Sequence, residues 1–142
     1  MRPLAVLYAI AASILVVGLV LQVFLAGLGV FDDPTFFLTH RDTGYTLELV
    51  AFVVIVLAAI ARAGRAQVGI AALIFGLFLL QSVFVAVRES TPAVAALHPV
   101  NGFLILLLSI VLARRAWAFA RATRAAAGTP APAPVPTAGL DA

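Results

Sequence analysis

Four long apolar runs set the limits on this chain: about 4–30, 44–61, 67–87 and 93–113. A helix needs roughly 20 mainly apolar residues to cross about 30 Å of hydrocarbon. Each run approaches or exceeds that length, and Leu4–Leu21 and Val50–Ala61 contain no charge. With 64% hydrophobic and 11% charged residues, the chain lacks the polar surface of a soluble domain. The expected fold is all-α, a four-transmembrane-helix up-down bundle. The first run is read as a span of this bundle, since its apolar stretch exceeds that of an ordinary cleaved leader.

Charge placement orients the bundle. All nine basic residues are Arg. Arg2, Arg62, Arg65, Arg114, Arg115, Arg121 and Arg124 flank one side, against Arg41 and Arg88 on the other. The positive-inside rule then puts both termini in the cytoplasm. The expected location is the bacterial cytoplasmic membrane, with the lipid bilayer as the first partner. The arginines are too scattered for a nucleic-acid surface. The absence of cysteine excludes disulfides, thiolate metal sites and covalent haem attachment. Residues 1–124 are read as the bundle, and the Pro/Ala-rich stretch 125–142 as a disordered cytoplasmic tail.

Two helix starts are legible. Asp33-Pro34 and Thr91-Pro92 each place a capping residue before a proline. Short linkers make successive helices antiparallel.

An internal repeat runs through these signals. Pro34, His40, Gly44 and Tyr45 align with Pro92, His98, Gly102 and Phe103 at one constant offset, without a gap. Gln22 and Gln81 precede the two prolines in similar contexts. The pattern is read as two duplicated helical hairpins related by an axis along the membrane normal. His40 and His98, the only histidines, then sit at one depth, about 9 Å past their prolines. On diagonal helices of an up-down bundle they face each other across the core.

Ionisable residues at membrane depth usually face the interior or a functional cavity. Two neutral imidazoles facing each other suit the axial positions of a low-spin haem iron. Gly44 and Gly102, one turn beyond each histidine, would let a flat macrocycle approach the backbone; Gly27 and Gly29 are candidates for relieving crowding on the first helix in the same layer. Arg41 and Arg88 are candidates for the haem propionates, through bidentate guanidinium–carboxylate pairing, or for interfacial snorkelling. Gln22 and Gln81 are either contacts to a cofactor edge or interhelical fasteners, and Asn101 is open in the same way. Glu48 lies on nearly the His40 face and reads as a polar contact or part of a proton path. Pro99 frees the Ala95 carbonyl and so can kink the helix beside His98.

These residues resemble half of a haem A synthase. Thr-His-Arg-x-x-Gly at 39–44 is similar to the histidine motif on that half's second helix. Gln81, Pro92 and Ala-Leu-His at 96–98 resemble its third and fourth helices, and Gln-x4-Gly-x-Gly at 22–29 its first. The likeness spans about residues 15–112. It also extends to a small bacterial family of four-helix membrane proteins. The resemblance implies haem ligation by His40 and His98. It departs in three places: there is one half rather than two, the outer cysteine pair is missing, and Phe37 stands where the synthase has a glutamate. What it implies is therefore haem binding rather than haem A synthesis.

The leading expectation is a membrane-embedded haem b protein, with His40 and His98 as the metal ligands, in electron transfer or haem handling near the outer face. With a single haem it would need a quinone, a redox partner protein or a homodimer to move electrons across the membrane. The rivals are a cofactor-free structural or accessory subunit, and a small proton-coupled transporter using Glu48 and the histidines. No catalytic residue is assigned. The orientation has its own test: alkaline phosphatase fused after Ser90 should be active in a bacterial host, and the same enzyme fused after Arg124 inactive. The opposite pattern would invert the topology.

Overall fold

The computed structural model describes residues 2–126. Helices α1 (Arg2–Phe31), α2 (Phe36–Ile60), α3 (Arg65–Ala86), the single turn α4 (Pro92–Ala95) and α5 (Leu97–Ala126) follow in order. There is no strand among the described residues. Four helical stretches are long and apolar enough to cross a membrane: α1, α2, α3 and the Pro92–Ala126 unit formed by α4 and α5. Their outward faces are apolar as well, with Val17, Phe24, Leu49, Leu79 and Leu107 all exposed. A helix that is apolar on every side belongs in a core or a membrane.

The helices form a ring. α1 packs on α2 and α5, and α3 packs on the same two helices. α1 and α3 are therefore one diagonal, and α2 and α5 the other. The fourth helix outruns its apolar stretch and is described as far as Ala126. The Arg- and Ala-rich segment after Leu112 consists mostly of strong helix formers. The helix thus takes in Ala125 and Ala126, which the sequence reading gave to the tail; the rest of that tail lies outside the described residues.

The helix starts differ from each other in chemistry. The regular part of α2 begins at Phe36, just after Pro34, through a turn in which Phe36 N–H donates to the Asp33 carbonyl at 3.0 Å. Asp33 Oδ1 accepts from Thr35 N–H at 2.8 Å. Hydrogen bonding from Thr35 holds the Asp33 carboxyl below its ordinary value of 3.8. Its stabilising contribution is present above that value and is lost as pH falls through the lowered one. Thr91 stands at the start of α4 but does not cap it by hydrogen bond. Its hydroxyl turns back to the Val87 carbonyl at 3.3 Å. The break at Ala96 lies one turn before Pro99, whose missing N–H leaves the Ala95 carbonyl without its helical donor.

At its other end α2 closes with a Schellman arrangement. Ala63 N–H donates to the Ala58 carbonyl and Arg62 N–H to the Ala59 carbonyl, each at 3.0 Å. The left-handed position of that motif, usually glycine, is Arg62, with φ of 57°.

The two halves bury matching positions. Leu47, Ala51, Val54 and Ala58 line the inner face of α2. Their counterparts at the histidine offset, Ile105, Ser109, Leu112 and Ala116, line that of α5. On α1, Ala12, Leu15, Leu19 and Leu25 are buried. At the offset that relates Gln22 to Gln81, Ala71, Ile74, Phe78 and Phe84 are buried in α3. Equivalent positions also meet one another. Tyr8 donates its hydroxyl hydrogen to Gln67 Oε1 at 3.2 Å across the α1–α3 diagonal. Such a contact between corresponding positions is what a twofold axis through the bundle produces.

Small residues hold the α1 and α3 packing. Ala12 and Ala71 are each 1% exposed. Ala71→Leu should lower stability in detergent by about 1–3 kcal/mol through overpacking, whereas Ala72→Leu, on the exposed face, should leave it within about 0.5 kcal/mol. Equal melting temperatures for both variants would contradict this packing.

Candidate functional site

Where α2 and α5 face each other, the His40 and His98 rings lie with centroids 6.2 Å apart and planes 58° apart. Both side chains are half-buried. Corresponding positions of the two halves again meet, here on the other diagonal. A metal–nitrogen bond of about 2 Å on each side, plus about 1 Å from nitrogen to ring centre, puts two imidazoles on one metal about 6 Å apart. The observed separation fits a single ion between the rings.

His40 Nδ1 lies 3.1 Å from the Gln22 carbonyl oxygen. A carbonyl can only accept, so this bond requires the proton on Nδ1 and leaves the Nε2 lone pair free. Fixing the tautomer through the far nitrogen is how proteins prepare a metal-ligating histidine. His98 has the Gln81 backbone as its matching hydrogen-bond neighbour, in a looser geometry than that of His40. The two imidazoles are thus equivalent in position, each set against the backbone of a glutamine on the adjacent helix.

A layer of amides surrounds the rings. Gln22 Nε2 donates to Thr43 Oγ1 at 2.9 Å, joining α1 to α2. Asn101 Nδ2 donates to Gln81 Oε1 at 2.8 Å and to the Leu77 carbonyl at 2.9 Å, joining α5 to α3. Thr43 and Asn101 are themselves counterparts at the histidine offset. The Thr43 hydroxyl already donates to a carbonyl of its own helix, so it accepts from Gln22. Gln22 Oε1 is left buried without a partner. Thr43 was missed in the sequence, although extending the repeat one turn past His40 would have found it opposite Asn101.

Each glycine beside a histidine has a definite neighbour. A Cβ on Gly44 would stand 3.6 Å from Gln22 Nε2, and one on Gly102 would stand 3.4 Å from Gln81 Nε2. Both are ordinary contact distances, so a methyl group would fit beside either glutamine amide, and neither glycine is required by the packing. Gly29 is closed by the Phe37 ring, whose atoms would lie 2.9 Å from an added Cβ, while Gly27 has open space beside it.

The remaining candidates lie outside this layer. Arg41 pairs with Asp42 at 2.8 Å and Arg88 with Glu89 at 3.4 Å, all four exposed. Such surface pairs contribute little. Glu48 is half-buried and makes no hydrogen bond or ion pair among the described residues. Its repeat equivalent is Leu106, so it stands apart from the symmetric layer.

The residues present suit a haem iron in two respects: the spacing of the imidazoles, and the unpartnered Gln22 Oε1 within the same layer. No group of three or more His, Cys, Asp or Glu that could hold a bare metal ion occurs among the described residues. A two-histidine site is therefore suited to a metal that brings its other ligands with it.

Residues 22–87 match the model of DUF6220, a family of unknown function. That stretch runs from Gln22 through α3 and includes His40 and Gln81, but stops before His98. No curated protein and no solved structure matches the chain.

The amide layer should be uneven in energy. Asn101→Leu removes two hydrogen bonds and orphans Gln81 Oε1, at about 1–3 kcal/mol. Thr43→Val removes one interhelical bond and orphans Gln22 Nε2, at the lower end of the same range, about 1 kcal/mol. Unfolding in mixed micelles measures both; a larger loss for Thr43→Val would reverse the assignment.

Proposed function

We propose that this chain is an integral membrane b-type haem protein in which His40 and His98 ligate one iron. The observation that carries the reading is the 6.2 Å separation of the two rings. The Gln22 carbonyl holds His40 with its Nδ1 protonated and so leaves the Nε2 lone pair available to a metal. Gln22 and Gln81 flank the pair from α1 and α3, where their amides border any macrocycle held between the rings. Bound haem supplies one-electron chemistry, and the chain supplies ligation, burial and second-shell hydrogen bonding, which tune it. Arg41 and Arg88, at the same end of the bundle, are the cations for its propionates.

The wider reading is a bacterial cytoplasmic-membrane protein with both termini cytoplasmic, built by duplication of one hairpin. The matched burial of corresponding positions supports duplication, and the seven arginines at the other end support the orientation. The role is electron transfer or haem handling near the outer face, with a quinone, a redox partner or a second copy completing the electron path.

A second reading is favoured by one observation: both glutamines are hydrogen-bonded across helices and packed over glycine. In that reading the polar layer only fastens the bundle, and the chain is a cofactor-free accessory subunit.

Hemin titration separates the two. Detergent-purified protein with one equivalent of hemin should give a sharp Soret band and, on reduction, a narrow α band. His40→Ala and His98→Ala should each lose the low-spin spectrum while eluting as the wild type does. Protein that stays colourless with hemin would leave the fastening role.

A further inference from the structure

At the arginine-rich end, the C-terminus of α2 and the N-terminus of α3 enclose a groove of about 490 Å³. Its walls are Ala58, Ala59, Val68 and Ala72, with Gly64 and Gly69 leaving it open, and both Arg62 and Arg65 line it. The volume lies within the range of small-molecule sites. An added Cβ would meet nothing within 4 Å at either Gly64 or Gly69, so both glycines border open space. Ala72 lies two turns beyond Arg65, about 10 Å along the helix. The groove therefore has a cationic mouth at the helix ends and an apolar floor one to two turns deeper.

Neither arginine has a carboxylate partner among the described residues. The acidic residues of the described chain lie elsewhere: Asp32, Asp33, Asp42 and Glu89 at the opposite end, and Glu48 within α2. Arg62 adds an independent observation. It holds a left-handed backbone, φ 57°, at the one position of the α2 terminus where glycine would be free of strain. A strained side chain kept at the mouth of a groove points to a role for that side chain.

We propose that this groove binds an anionic phospholipid, with Arg62 and Arg65 on the phosphate and an acyl chain along Ala58, Gly69 and Ala72. Guanidinium groups match phosphate geometry bidentately, and the apolar floor suits a hydrocarbon tail. The site is separate from the histidine layer, at the other end of α2, and does not depend on haem.

Native mass spectrometry of the full chain in neutral detergent tests it, with phosphatidylglycerol, phosphatidylcholine and inorganic phosphate as probes. Phosphatidylglycerol should be retained in preference to phosphatidylcholine, and millimolar inorganic phosphate should not displace it. Arg62→Gly and Arg65→Gln should each weaken retention about fivefold. Arg62→Gly relieves the backbone, so its lipid-free melting temperature should equal or exceed the wild type's; lipid loss in that variant cannot then be unfolding. Equal retention of the two lipids, or undiminished retention by Arg62→Gly and Arg65→Gln, would overturn the proposal. Displacement by inorganic phosphate would overturn its lipid part, reducing the site to an anion site without a tail groove.

Discussion

In a bundle whose helices are apolar on every side, a polar side chain can satisfy itself only on a neighbouring helix or on its own backbone. That constraint organises the structure. Gln22 reaches Thr43, Asn101 reaches Gln81 and Leu77, Tyr8 reaches Gln67, and Trp117 Nε1 donates to Ser13 Oγ at 3.0 Å. Each bond joins two helices, and together they link α1 to α2, to α3 and to α5, and α3 to α5. Packing of Leu, Ala and Phe side chains supplies the bulk of the contact area, with small residues such as Ala12 and Ala71 on the inner faces. The polar pairs fix register and rotation, because a misplaced amide in such surroundings stays unpaired at a cost of about 1–3 kcal/mol.

Residues at matching offsets in the two halves meet across the bundle: Tyr8 with Gln67 near one end, His40 with His98 near the other. The halves nonetheless differ in chemistry. Threonine in one half stands for asparagine in the other.

The ends of the bundle divide the remaining chemistry. The end carrying Asp33, Arg41 and Arg88 pairs both of its arginines locally, with Asp42 and Glu89, and leaves Asp32 and Asp33 there as carboxylates without an ion pair among the described residues. The other end concentrates arginine, and the tight α2–α3 turn places two of these beside a groove. The turn is short because the Schellman closure at Arg62 and the start of α3 at Arg65 are separated by only Ala63 and Gly64.

Much of this was legible in the chain. Four apolar runs gave four helices, since length and hydropathy act locally and need no knowledge of neighbours. Asp33 was readable as a capping residue because its bond to Thr35 is made locally. The constant offset between the halves placed the histidines at one level, since a helix converts sequence spacing into depth. Boundaries were less readable: α5 runs past Leu112 because helix propensity continues where hydropathy stops. Thr91 looked like a cap, yet its hydroxyl found the Val87 carbonyl instead.

Sequence by itself thus determined the number of helices, their order and the depth of each polar group, all properties of one helix at a time. Only the tertiary structure decided which amide lies beside which glycine, that His40 bonds the Gln22 carbonyl, and that the rings stand 6.2 Å apart. Those are contacts between residues on different helices, distant in the chain and set by the rotation of each helix against its neighbours, and no local pattern encodes that angle.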